Sequence, residues 1–424
     1  MDVLLDRCFR DPEVGGDLLV RPEGGQADAL FLTCAQTGGH HTLRDKAPCL
    51  SAIVAPPSSR DASRDHIPEL FAAIATGPEL AHRVRPPYHW VGRYQPARGF
   101  HTVQKRTVQT DTRPQAVLEA GDGPLVLLIH GFPELALSWR DQIAALAQAG
   151  YHAVAPDMRG YGGSPGPDPR DGYSILHLVG DMVDLVRALG QTHCVVIGHD
   201  WGAAVAWHCA LMRPDMFRAV AGLSVPFQPR RAGGPPIPAM AAISKRAGLG
   251  DLYISRLQAD DAHAIFDADP ATALRKCFYG YDGATPTQRQ STGFIPAGEN
   301  MLSVVPEDAT LPPWMSETHF AEYVSAFSAF GFKGPIDWYR CLDRNWSLTA
   351  YLQDRRIDQP SLFIVGERDP VRNYSGKHEA EQPLWLTDLR GQIVLSGAGH
   401  WIQQERPDEV NAALLKFIGN SGVI

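Results

Sequence analysis

The chain has 424 residues, of which 44% are hydrophobic and 20% charged, and its formal net charge is −8. Such a composition belongs to a globular protein, with length enough for one large domain and an appendage. The acidic balance excludes the basic footprint of a nucleic-acid binder, and no apolar run approaches the roughly 18 residues of a membrane span.

The start, Met1-Asp2-Val3-Leu4-Leu5-Asp6-Arg7, has neither a basic segment nor a long apolar one, so secretion is not expected. Residues 1–99 show no sustained helical or strand period and are broken by Gly15-Gly16, Gly24-Gly25, Gly38-Gly39 and Pro56-Pro57-Ser58-Ser59. Only residues 67–76 resemble a short helix. This stretch is predicted to be a poorly ordered N-terminal extension, because it buries too little apolar surface to offset its ordering entropy. Seven cysteines (Cys8, Cys34, Cys49, Cys194, Cys209, Cys277, Cys341) are scattered without a CxxC pair. They match neither a disulfide framework nor a zinc site, so reduced thiols in a cytoplasmic protein are expected, with no metal and no cofactor.

From Phe100 onward the pattern changes. Leu125-Val126-Leu127-Leu128-Ile129 is wholly apolar and short, as suits a strand buried on both faces of a parallel sheet. A helix is predicted over 139–149, stopped by Gly150, and a strand at His152-Ala153-Val154-Ala155. Ser174 opens a helix whose Ile175, Leu178, Val179, Met182, Leu185, Val186 and Leu189 form one stripe. Cys194-Val195-Val196-Ile197 is the next strand, 203–212 a helix, and 220–225 a further strand. This alternation predicts an α/β fold with a mostly parallel, doubly wound sheet. After Pro226 it stops, and helical, proline-rich material over about 227–359 is predicted to be an inserted helical cap. Strand-like runs return at Leu362-Phe363-Ile364-Val365 and Gln392-Ile393-Val394-Leu395, followed by a helix over 407–418.

Gly198-His199-Asp200-Trp201-Gly202 stands between a strand and a helix, the context of a nucleophile elbow, where glycines two places either side relieve crowding. The central residue is aspartate. A carboxylate is already ionised and can displace a leaving group at saturated carbon, forming an alkyl ester that water must then hydrolyse. An ester or amide substrate is disfavoured. The competing structural role for Asp200 is an N-cap, which explains neither flanking glycine. Asp369, in Gly366-Glu367-Arg368-Asp369-Pro370, and His400, in Gly397-Ala398-Gly399-His400-Trp401, follow two later strands in the order nucleophile, acid, base. His400 would take a proton from the attacking water and Asp369 would hold its imidazole, with Glu367 as rival for the acid. His130-Gly131-Phe132-Pro133 follows the first long strand. The N–H groups of Phe132 and Trp201 are candidates for an oxyanion hole beside His130, and a cis bond at Phe132-Pro133 is foreseen.

These residues resemble the α/β-hydrolase-fold epoxide hydrolases over roughly residues 100–418. The motifs are His130-Gly131-Phe132-Pro133, Asp157-Met158-Arg159-Gly160-Tyr161-Gly162, Gly198-His199-Asp200-Trp201-Gly202, Gly331-Phe332-Lys333-Gly334-Pro335-Ile336-Asp337-Trp338-Tyr339-Arg340 and Gly399-His400-Trp401. The resemblance implies hydrolysis of an epoxide to a vicinal diol, with two cap tyrosines protonating the epoxide oxygen. Tyr339 occupies the second tyrosine's place. Tyr253, in Tyr253-Ile254-Ser255-Arg256-Leu257-Gln258, resembles the first, although Ala259-Asp260-Asp261 departs from the family's usual continuation. Tyr279, Tyr281 and Tyr323 are rivals. The partners implied are a small epoxide and water. The alternatives are a dehalogenase of the same fold, which would use Asp200 to expel halide without a proton donor, and a non-catalytic ligand-binding scaffold.

Overall fold

The computed structural model describes residues 102–423 other than Asp168, Arg231 and Leu249, together with three short strands nearer the start. The chain divides into two units, Met1–Arg98 and Gly99–Ile424. In the first, β1 (Asp17–Val20), β2 (Leu30–Ala35) and β3 (Cys49–Val54) pair antiparallel in that order. No strand was predicted there, because six-residue apolar runs such as Leu30–Ala35 carry too short a period to stand out among glycine pairs. The helix expected over 67–76 and the rest of the expected poorly ordered extension lie outside the described residues.

The second unit begins with β4 (Gln104–Gln109), β5 (Pro114–Ala120) and β6 (Leu125–Ile129). It continues with β7 (His152–Pro156), β8 (Cys194–His199) and β9 (Phe217–Leu223). Helices Arg140–Gln148, Ile175–Ala188 and Trp201–Met212 alternate with these strands. After Leu223 the chain leaves the main sheet and returns to it at Ile357. The interval is mostly helical, yet it also contains a two-stranded pair, β10 (Asp251–Leu252) with β11 (Phe294–Ile295). Then follow β12 (Ile357–Gly366), β13 (Leu386–Leu395) and the helix Pro407–Ser421.

The main sheet has eight strands in the order β13-β12-β9-β8-β6-β7-β5-β4. Its pairs from β13 to β7 are parallel, and β5 runs antiparallel to both β7 and β4. β6 is fully buried because its side chains feed two cores in alternation: Leu125, Leu127 and Ile129 face one side, and Val126 and Leu128 the other. Each such side chain contributes roughly 1.5–3 kcal/mol by leaving water, so the centre of the sheet is a rigid platform. The edge pair β4 and β5 was not foreseen. β4 is exposed at all but one position and carries Arg106, ion-paired to Glu119 of β5, as befits an edge that resists further pairing. Among the described residues no helix is long and apolar enough to cross a membrane.

Candidate active site

The turn from β8 into the helix Trp201–Met212 holds Asp200 at φ 53° and ψ −121°, a conformation that is costly for any residue with a Cβ. The flanking glycines make this turn physically possible. A Cβ on Gly198 would lie 2.0 Å from the carbonyl oxygen of Gly202, and one on Gly202 would lie 2.0 Å from that of Ile129. Although Asp200 stands at the N-cap position, its side chain makes no capping hydrogen bond. Its carboxylate points into the site instead. Oδ1 accepts a 2.9 Å hydrogen bond from the Phe132 N–H, and Oδ2 lies 3.5 Å from His400 Nε2. The Phe132-Pro133 bond is cis.

On the far side of His400, Nδ1 lies 3.1 and 3.0 Å from the two oxygens of Asp369. Asp200, His400 and Asp369 are all buried. Burial pushes the Asp200 carboxyl up, but its hydrogen bond to His400, His400's charge and the Phe132 N–H together hold it below the ordinary carboxylate value. Burial alone would lower His400. The opposing carboxylates of Asp369 and Asp200 outweigh it and hold the imidazole well above its ordinary value, so the resting site carries an imidazolium between two carboxylates. Glu367 does not take part in this contact: its carboxylate accepts from Ser396 Oγ and the Gly397 N–H.

Opposite Asp200, the inserted segment supplies Tyr253 and Tyr339. The Tyr253 N–H donates to the Gly293 carbonyl at the end of the β10–β11 pair, and Tyr339 projects from the helix Lys333–Arg340. Both rings line a cavity with Asp200, His400, Phe132 and Cys277. Tyr339 meets the rings of Phe132 and Trp201 edge-on, with centroids 5.5 and 5.2 Å away. Of the rivals, Tyr281 also reaches this cavity, with its ring 5.8 Å from that of His400. Tyr323 packs against Phe278, and Tyr279 lies beneath Arg289. A larger and more open polar cleft borders the Asp369 loop. Its Arg372 is paired with Glu379 and its Arg368 is held by carbonyls of Gly283 and Thr285, so the strongest charges there are already matched.

His130 is placed under the cavity, outside its lining. Its ring nitrogens engage the Gly131 carbonyl and the Met158 N–H. Beneath the triad lies a network that sequence reasoning missed. Glu134, fully buried, accepts from the Gly131 N–H and from Gln403 and Gln404, and stands 2.6 Å from His199 Nδ1. His199 Nε2 donates to the carbonyl of His400, which also receives the Ser224 hydroxyl. Both nitrogens of His199 face acceptors, so the Glu134–His199 pair must carry a bridging proton. Glu405 completes the cradle by accepting the N–H groups of Gly283, Gly399 and Trp401. Burial raises its carboxyl to about 7 against those bonds. The signal for Glu134 was its place directly after His130-Gly131-Phe132-Pro133, and nothing in spacing says that it points inward.

Replacing Glu134 by alanine is expected to cost about 3–5 kcal/mol, because it strands a buried His199 and two amides without their partner. Urea unfolding of the variant measures this, and a loss under 1 kcal/mol would show that the network is not structural.

Residues 124–243 match a family model described as the alpha/beta hydrolase fold. The chain is 42% identical over 320 residues to epoxide hydrolase A of Mycobacterium tuberculosis, covering 74% of this chain and 97% of that protein. It is 36% identical to epoxide hydrolase 3 of Siraitia grosvenorii, covering 74% and 98%. Among solved structures, an epoxide hydrolase from an endophytic Streptomyces superposes with a TM-score of 0.71 at 39% identity, covering 75% of this chain and 95% of that one.

Proposed function

The chain belongs to the epoxide hydrolases of the α/β-hydrolase fold, and we propose that it turns epoxides into vicinal diols in two covalent steps centred on Asp200. The observation that carries this reading is the division of labour at Asp200. One oxygen is held by the Phe132 N–H, and the other lies between His400 and a cavity roofed by Tyr253 and Tyr339.

In the first step Asp200 attacks an epoxide carbon. The carbon–oxygen bond breaks toward the oxygen, which takes a phenolic proton from the tyrosine pair, because an alkoxide leaves poorly without one. Esterification removes the charge of Asp200, so His400 loses one of the two carboxylates that kept it protonated and releases its proton, while the tyrosine regains one. In the second step neutral His400 takes a proton from water attacking the ester carbonyl. The oxyanion that forms is received by the Phe132 N–H, with the Trp201 N–H as second donor. On collapse the departing alkoxide takes the second proton of the attacking water, which frees the diol and restores the Asp200 carboxylate beside protonated His400. The tyrosine pair favours an epoxide over a haloalkane, since halide needs no proton to leave. The substrate is a small neutral epoxide, in keeping with an aromatic lining. Among the described residues the cysteines are free thiols, which supports a reducing, cytoplasmic setting.

A single turnover in heavy-oxygen water tests the scheme. Label is expected in the Asp200 carboxylate and none in the diol, because attack on the ester carbonyl gives the diol only epoxide and enzyme oxygen. Label in the diol with an unlabelled Asp200 would mean that water attacks the epoxide directly.

A further inference from the structure

A third tyrosine adjoins the pair. Tyr374 lies on the helix Arg372–Trp385, just beyond Asp369, and its ring centroid is 6.3 Å from that of Tyr253. The ring of Tyr339 is 5.8 Å from that of Tyr253. Tyr253 is the ring shared by both contacts. Gly293 fixes the arrangement. Its carbonyl holds the Tyr253 N–H, and a Cβ at this position, where φ is +81°, would come within 2.9 Å of Tyr374 Cε1. One residue without a side chain therefore anchors the backbone of the first tyrosine and leaves room for the ring of the third.

We propose that Tyr374 is a positioning residue that makes Tyr253, out of the three phenols, the one that gives its proton to the opening epoxide. The inference rests on the reading of Tyr253 as a ring-opening acid. As the bond between Asp200 and carbon forms and the epoxide carbon–oxygen bond breaks, the released electron pair stays on the oxygen and takes the Tyr253 proton. The phenolate left behind then accepts hydrogen bonds from Tyr339 and Tyr374. Two donors to a phenolate held among buried aromatic rings offset the cost of forming a charge there. Among the three, Tyr253 is the ring that neighbours both of the others, and burial pushes all three phenols up.

The test is a double-mutant cycle read in the alkylation phase, with styrene oxide mixed rapidly with excess full-length enzyme. Tyr374→Phe removes only the hydroxyl. It is expected to slow alkylation roughly tenfold, the worth of one hydrogen bond to a charged group, and to leave ester hydrolysis within about twofold. In the Tyr253→Phe background the same change is expected to alter alkylation by less than about twofold, because no phenolate remains to be stabilised. A wild-type alkylation rate in Tyr374→Phe, or an equal factor in both backgrounds, overturns the proposal. An unimpaired alkylation rate in Tyr253→Phe alone removes the assignment of Tyr253 itself, and the role of Tyr374 with it.

Discussion

An Asp200→Ala variant is expected to lose epoxide turnover by a factor on the order of 10⁴ or more and to gain no mass when mixed with substrate. No other carboxylate can take over. Asp369 uses both oxygens on His400 Nδ1, and Glu134 is occupied below the cavity by His199 and two glutamines. The fold should survive the change. Alanine at a backbone angle of +53° is strained much as aspartate is, and His400 keeps its two-oxygen contact with Asp369. A thermal unfolding midpoint close to that of the parent, together with absent turnover, is the signature of a lost nucleophile. Residual turnover within about a hundredfold of the parent would point to a reaction that does not pass through Asp200.

The legible parts of this molecule are those where chemistry is tied to local pattern. Asp200, Asp369 and His400 each follow an apolar run that becomes a strand of the parallel sheet, buried in β8 and in the latter half of β12 and partly exposed in the end strand β13. That coupling of strand end to loop is what places side chains at one edge of the sheet. The runs were foreseen as cores of β8, β12 and β13, whereas β12 and β13 extend several residues earlier, through Ile357–Pro360 and Leu386–Gly391 respectively, where mixed polar positions hide the strand. β4 and β5 were hidden for a related reason: an edge pair need not be apolar, and exposed residues such as Gln104 and Lys105 carry no period.

Side chains that act across the fold were the least legible. Tyr253 sits in a segment that departs from its family's usual wording. It reaches the cavity because a two-residue strand and the Gly293 carbonyl hold it, a tertiary cause invisible in spacing. Tyr374 shows the same limit more sharply. The helix Arg372–Trp385 that carries it was not foreseen, and that its ring meets Tyr253 beside Gly293 is again a tertiary matter. Glu134 lies in a turn and Glu405 ends the short helix Ile402–Glu405, and for an acidic residue in either setting solvent exposure is the usual expectation. Here both hold the His400 loop from within.

The second large effect concerns the release of the intermediate. His400→Gln is expected to leave alkylation largely intact and to slow ester hydrolysis on the order of 10²–10⁴-fold, the usual worth of a positioned general base. The alkyl-enzyme should then accumulate, and intact mass should rise by the full mass of the epoxide, because ring opening expels no leaving group. Its pH dependence separates this account from a purely steric role for the imidazole. In the resting enzyme His400 faces two carboxylates that hold its proton well past the ordinary histidine range, so neutral imidazole forms only as pH rises beyond that raised value. In the ester one of those carboxylates is neutral, so the same imidazole loses its proton at a lower pH. Single-turnover hydrolysis in the parent should therefore rise with pH and level off below the pH at which the His400 ring titrates in the free enzyme, as followed by NMR. Coincident midpoints would mean that Asp200 does not set the protonation of His400. A His400→Gln enzyme that releases diol without accumulating an adduct would mean that water needs no base in this site.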